Sequence, residues 1–166
     1  MFRIGVLTSS DSGFRGERED LSSQVIFDLV GELGEVVVYE LVPDDREVIA
    51  AKLRSWCDDL GLDLILTTGG TGFSPRDITP EATLDVVDRV VPGIPEALRA
   101  MSYQKTNRAM LSRSAAGIRK GSLIINMPGS PVACREYLEF LLPVLGHGLE
   151  ILTGRAANCA RVDQLG

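Results

Sequence analysis

The feature that most limits what this chain can become is a rhythm. Short apolar, β-rich runs end in polar or glycine-rich loops, and each is followed by residues whose apolar positions recur every three or four. Residues 4–7 read as a first strand, ending in T-S-S-D-S-G and a charged F-R-G-E-R-E-D loop. In residues 21–33, Leu21, Val25, Ile26, Leu29, Val30 and Leu33 fall on one helical face, and Gly34 is a stop signal. Residues 36–42 (V-V-V-Y-E-L-V) are a second strand closed by P-D-D, where Asp44 or Asp45 can cap a helix through residue 59. Residues 62–66 (L-D-L-I-L) form a third strand. Thr79-Pro80-Glu81 then supplies a capping hydroxyl, a proline at the first helical position and an acid in the first turn, so a helix should run to about residue 89.

Residues 95–101 read as a further helical segment, and residues 103–120 are polar with no assignable period. Residues 122–126 (S-L-I-I-N) are a strand, after which Ser130 can cap and Pro131 can open a helix reaching residue 145 or beyond. Strands alternating with helices in this way predict the α/β class, with a mainly parallel sheet and helices on both faces. At 166 residues and 45% hydrophobic content, the chain can build one sizeable core and not comfortably two. The expectation is a single domain over residues 1–154 and a frayed tail over residues 155–166.

A net charge of −6 argues against bulk attraction to nucleic acid or to an anionic membrane, both of which need a basic field. It leaves room for a small anionic ligand held by local charge. Cys57, Cys134 and Cys159 form no Cys-x-x-Cys pair, and His147 is the one imidazole, so zinc-site spacing is absent. No apolar run approaches a membrane span, and a soluble, reduced, cytoplasmic chain is the expectation.

Ligands of open α/β sheets gather beyond the carboxyl ends of the strands. Four loops leave such ends, at residues 8–20, 43–45, 67–79 and 127–131. The third, T-T-G-G-T-G-F-S-P-R-D, is neither a P-loop, since no Gly-Lys-Ser/Thr follows, nor a dinucleotide fingerprint, since Pro75 stands where the third glycine would fall. Gly69, Gly70 and Gly72 could take positive φ and bring N–H groups to an oxyanion, with Thr67, Thr68 and Thr71 adding hydroxyls; a tight strand-to-helix turn without a ligand fits the same residues. Asp44 and Asp77, leaving neighbouring strands, could share a Mg²⁺, although Asp44 after a proline also suits an ordinary turn or cap. Ser112 and Ser114 in L-S-R-S-A-A-G, and Pro128, Gly129 and Ser130 in the P-G-S-P turn, read either as turn formers or as phosphate contacts, the latter turn aiming a helix N-terminus at the same sheet edge.

Together these motifs resemble the molybdopterin adenylyltransferase family of molybdenum cofactor biosynthesis, the MogA/MoaB-type proteins, which are also similar to the G domains of gephyrin and the plant Cnx-type enzyme. The resemblance rests on T-S-S-D, V-P-D, T-T-G-G-T-G-F-S-P-R-D-I-T-P-E-A-T, M-L-S-R-S-A-A-G-I-R and L-I-I-N-M-P-G-S-P, spread over nearly the whole chain. It implies a three-layer α/β/α domain, commonly a homotrimer. It implies an enzyme that uses Mg-ATP to adenylylate molybdopterin, releasing pyrophosphate and passing the product to a molybdenum-insertion protein; a non-catalytic pterin-binding member is the alternative. It places Asp44, Asp77 and Ser112 in catalysis and Mg²⁺ on Asp44 and Asp77. Substrate would be held by Ser10, Asp11, Thr68, Gly69, Gly70, Thr71, Gly72, Ser114, Pro128, Gly129 and Ser130. One departure is visible: Asp20-Leu21-Ser22-Ser23 stands where the family usually has Asp-x-Ser-Gly.

Overall fold

The computed structural model describes residues 1–155. Six strands, β1 (Phe2–Ser9), β2 (Gly34–Val42), β3 (Leu64–Thr68), β4 (Arg89–Val90), β5 (Ala116–Arg119) and β6 (Ser122–Met127), form one sheet in the order β2-β1-β3-β6-β5-β4. β2, β1, β3 and β6 are mutually parallel, while β5 runs antiparallel to β6 and β4 antiparallel to β5. The mainly parallel sheet is therefore as expected, with an antiparallel edge drawn from residues whose pattern is unreadable in sequence.

The pleat divides the strand residues between two cores. Ile4, Val6, Leu64, Leu66, Leu123 and Ile125 join Ile26, Val30, Leu98, Leu138 and Leu145 on the face covered by α2 (Leu21–Val30), α5 (Gly93–Tyr103) and α6 (Pro131–Leu152). Leu7, Ile65 and Ile124 join Ile49, Leu53, Trp56, Ala82 and Val86 on the face covered by α3 (Arg46–Asp58) and α4 (Thr79–Leu84). A three-layer α/β/α domain results, and the apolar continuity of its parallel strands follows from burial on both sides.

Local signals set most element ends. Asp45, not Asp44, caps α3, its carboxylate accepting the Val48 N–H at 3.0 Å. Ser130 caps α6, and Pro131 lies in its first turn. Three expectations are corrected: α2 ends at Val30, and Gly34, expected as its stop signal, is the first residue of β2. Thr79 is the first residue of α4 and makes no cap; Ile78 occupies that position without a side-chain hydrogen bond. That helix also stops at Leu84, well short of residue 89, because the Asp88 N–H is taken by the Ile118 carbonyl and the chain turns into β4 against β5. Between α5 and β5 lies a 3-10 helix, Asn107–Leu111, and after β1 a single helical turn, α1 (Asp11–Phe14). Arg155, placed by the sequence in the tail, is tied down: its guanidinium donates to both Asp63 carboxylate oxygens, at 3.1 and 3.2 Å. Residues 156–166, the rest of the expected tail, lie outside the described residues, and Cys159 with them.

Candidate functional site

Chain connections leave β1 toward β2 and β3 toward β6, in opposite directions across the sheet. A switch of this kind opens a crevice outside the carboxyl ends of the two strands. A cavity of about 410 Å³ lies there, lined by Thr8, Ser9, Ser10 and Gly13 at and beyond the end of β1, Leu41 and Asp44 at and beyond the end of β2, Thr68, Gly69, Gly70 and Asp77 at and beyond the end of β3, and Gly129, Ser130 and Pro131 after β6; Arg18, Glu19, Asp20, Leu21 and Ser22 complete it.

Two glycines make the crevice possible. Gly69 has φ of +90° and Gly70 +66°, a region that L side chains rarely adopt. A Cβ at residue 69 would lie 2.3 Å from the Ser9 carbonyl oxygen, and one at residue 70 would lie 2.4 Å from Thr79 Oγ1. The β1 and β3 ends thus approach as closely as their backbones allow. The Gly70 carbonyl accepts the Thr79 N–H at 3.1 Å and closes the loop, while Thr68 Oγ1 donates to the Pro128 carbonyl at 2.8 Å and ties it to the end of β6.

Asp44 is held by donors on both oxygens, the Ser9 hydroxyl on Oδ1 at 2.5 Å and the Asp11 N–H on Oδ2 at 2.9 Å. Asp11 does not line the cavity. Its carboxylate accepts the Asp44 N–H at 3.0 Å and both Nε and Nη2 of Arg76, at 2.9 and 3.1 Å. The Arg76 guanidinium, then the Asp44 N–H, hold the Asp11 carboxyl below its usual range. Asp77 Oδ2 accepts the Ser74 N–H at 2.9 Å, and the Asp77 N–H returns to the Ser74 carbonyl at 2.9 Å.

Asp20 is marked in the sequence only as part of the Asp-x-Ser motif, yet it organises one wall. It caps α2 through the Ser23 N–H at 3.0 Å and accepts the hydroxyls of Thr8, Ser22 and Tyr39. Burial pushes its carboxyl upward, but these donors, Thr8 foremost, outweigh it and the net shift is downward. Ser23, which stands in place of the usual family glycine, is buried and returns its hydroxyl to the Asp20 carbonyl at 3.1 Å. The signal that could have flagged Asp20 is its place just before an apolar helical period.

Of the residues expected to act together, Ser10, Asp44, Thr68, Gly69, Gly70, Asp77, Gly129 and Ser130 converge on this cavity. Thr71, Gly72 and Pro128 belong to its loops without lining it. Ser112 and Ser114 line a second cavity of about 400 Å³ with Leu84, Val90, Pro92, Pro95 and Arg99, and their hydroxyls meet each other at 3.0 Å. Asn126, unremarked in the sequence, is fully buried and joins the two regions: its Nδ2 donates to Thr67 Oγ1 at 3.0 Å and Thr83 Oγ1 at 2.8 Å, and its Oδ1 accepts the Ala115 N–H at 3.1 Å. His147 is exposed on α6, away from the cavity.

The donor set suits a hard cation held partly by its ligand. Asp44 and Asp77 face one cavity, each with carboxylate lone pairs beyond those already used. Among the described residues there is no cluster of three or more metal-ligating side chains, so an all-protein cage is not what this site offers. Mg²⁺ is commonly bound by one or two carboxylates plus substrate phosphates, and the residues present fit that pattern.

An open α/β sheet has here a switch-point crevice lined by glycine backbone, hydroxyls and two carboxylates, with a helix N-terminus at its rim, and these groups suit a small phosphorylated ligand. The model of the probable molybdopterin binding domain matches residues 5–147, and the chain belongs to that family. It is 44% identical over 154 residues to the molybdopterin adenylyltransferase of Helicobacter pylori, covering 91% of this chain and 88% of the relative. Gephyrin of Dictyostelium discoideum is 40% identical over 163 residues, which are 92% of this chain and 23% of that protein. The crystal structure of the molybdopterin biosynthesis enzyme MoaB from Thermus thermophilus superposes with a TM-score of 0.88 at 54% identity, covering 93% of this chain and 98% of the other.

Proposed function

We propose that this protein is a molybdopterin adenylyltransferase acting in molybdenum cofactor biosynthesis, with Mg-ATP and molybdopterin as substrates. The observation that carries the site assignment is that Asp44 and Asp77, from different strand ends, line one cavity with the Gly69–Gly70 backbone. An oxygen of the terminal phosphate of molybdopterin attacks the α-phosphorus of ATP, the bond from that phosphorus to the α–β bridging oxygen breaks, and pyrophosphate leaves. Two highly negative reactants must be aligned, so positioning and charge compensation dominate what the protein supplies. Mg²⁺ on Asp44 and Asp77 would offset phosphate charge. The Gly69 and Gly70 backbone, the Ser10 and Thr68 hydroxyls and the N-terminus of α6 at Gly129 and Ser130 would orient the phosphates, while Ser112 and Ser114 would meet a part of the substrate reaching the second cavity.

Asp77→Asn tests this directly. Pyrophosphate release in the presence of ATP, Mg²⁺ and molybdopterin should be lost while the circular dichroism spectrum is unchanged; release at the wild-type rate would sink the assignment. Binding of both substrates by the wild-type chain without any pyrophosphate release would replace it with the non-catalytic reading.

A homotrimer belongs to the same proposal. It is supported by exposed apolar side chains, Leu84, Val90, Tyr103 and Met110, that border two cavities sharing Arg99. Sedimentation equilibrium showing a stable monomer would refute it. The product would pass to a downstream molybdenum-insertion protein in the cytoplasm. The acidic balance of the chain disfavours nucleic acid as a partner, and no helix among the described residues is long and apolar enough to cross a membrane.

A further inference from the structure

We propose that Arg113 is the positioning residue that sets where the Asp77 carboxylate stands in the cavity. The proposal rests on the reading that Asp77 holds the metal. Arg113 lies in the L-S-R-S segment, between the two serines that the sequence brings forward. Its main-chain N–H donates to the Thr71 carbonyl at 2.9 Å, its Nε to the Gly72 carbonyl at 2.7 Å and its Nη2 to the Asp77 carbonyl at 2.5 Å. Its Nη1 pairs with the Glu81 carboxylate on α4.

These bonds seize the glycine loop at both ends of the turn that carries Asp77. A guanidinium is a planar, rigid fork, so two carbonyls bound to one such group are held at a set separation. Between them, the Asp77 carboxylate folds back onto its own turn through the Ser74 N–H. It lies so close to residue 72 that a Cβ there would be 2.9 Å from Asp77 Oδ2. Any change in the span from residue 72 to residue 77 therefore moves the carboxylate itself. Glu81 anchors the fork to a helix, and because Glu81 Oε2 is buried with no hydrogen-bond partner among the described residues, the pair is not freely replaceable.

Lysine keeps the charge beside Glu81 but cannot span both carbonyls in the same geometry, which makes Arg113→Lys the discriminating variant. Mn²⁺ affinity should be measured on the full chain by electron paramagnetic resonance in the presence of α,β-methylene-ATP, alongside thermal melting. Arg113→Lys should weaken Mn²⁺ binding about tenfold, the scale of residues that orient metal ligands, well below its own melting temperature. Glu81→Gln, which leaves the fork in place but loosens its anchor, should shift it in the same direction and less. Wild-type Mn²⁺ affinity in Arg113→Lys, whether or not its melting temperature falls, would overturn the proposal by showing a role in charge or stability alone. Asp77→Asn is the control: if it binds Mn²⁺ as the wild type does, the metal reading beneath the proposal fails, independently of how Arg113 behaves.

Discussion

Asp11 and Asp44 hold each other by reciprocal bonds, the Asp11 N–H donating to Asp44 Oδ2 at 2.9 Å and the Asp44 N–H donating to Asp11 Oδ1 at 3.0 Å. Two loops that leave adjacent parallel strands are thereby locked in register, and Arg76 brings in a third through its bonds to Asp11. The two aspartates nevertheless differ in what they face, since Asp44 lines the cavity and Asp11 does not.

Their substitutions should differ accordingly. Asn at residue 11 can still accept the Asp44 N–H and loses only an exposed ion pair, so pyrophosphate release should fall by less than about tenfold. Asp44→Asn, which removes an anionic ligand of the Mg²⁺ that would offset the phosphate charge, should lower it on the order of 100-fold or more.

Gly70→Ala should be costly in two ways. Its φ of +66° is strained for any L residue, and the new Cβ would meet Thr79 Oγ1 at 2.4 Å. A loss of about 1–3 kcal/mol in urea unfolding is expected from the backbone alone. Calorimetry should also show weaker ATP binding, because the loop must move to relieve the clash.

Asn126→Leu should destabilise the domain without touching the cavity wall. The substitution leaves the half-buried Ala115 N–H without its side-chain acceptor and removes the buried donor to Thr67 and Thr83. The expected cost is about 1–3 kcal/mol for the stranded group, read as a lower urea midpoint at constant slope.

Asp58 supplies a pH test remote from the site. Arg119, then Lys120, hold its carboxyl down to about 2. A carboxyl depressed in the folded state contributes stability above its unfolded value of about 3.9, and that contribution is lost as pH falls toward the folded value. Asp58→Asn should therefore be less stable than wild type at about pH 6. The gap between the two urea midpoints should close as pH drops from about 4 to about 2.

Much of the scaffold is legible in the sequence because its causes are local. A continuous apolar run bounded by loop residues can be buried on both faces only as an inner strand, and β1, β3 and β6 are such runs. Ser130 and Asp45 cap their helices because a side-chain oxygen reaches an N–H three residues on, a relation contained within one turn. The same local logic misleads at Thr79, where the loop hydrogen bond from its N–H to the Gly70 carbonyl takes precedence over the cap. It is silent over residues 103–120, because β5 exists through pairing with β6 and β4, and its period of two is too short to read.

The residue types of the site are equally visible, as glycines, hydroxyls and carboxylates at predicted strand ends. Sequence alone determined that this chain is an α/β domain and that Asp44, Asp77, Gly69 and Gly70 belong to loops at one sheet edge, because strand polarity puts every such loop on the same side. Only the tertiary structure decided which of them meet. The order β2-β1-β3-β6 brought Asp44 and Asp77 to one crevice, turned Asp11 into a brace, sent Ser112 to a neighbouring cavity and placed Arg113 across the glycine loop. Those relations join residues more than thirty positions apart, and no local propensity carries information over that distance.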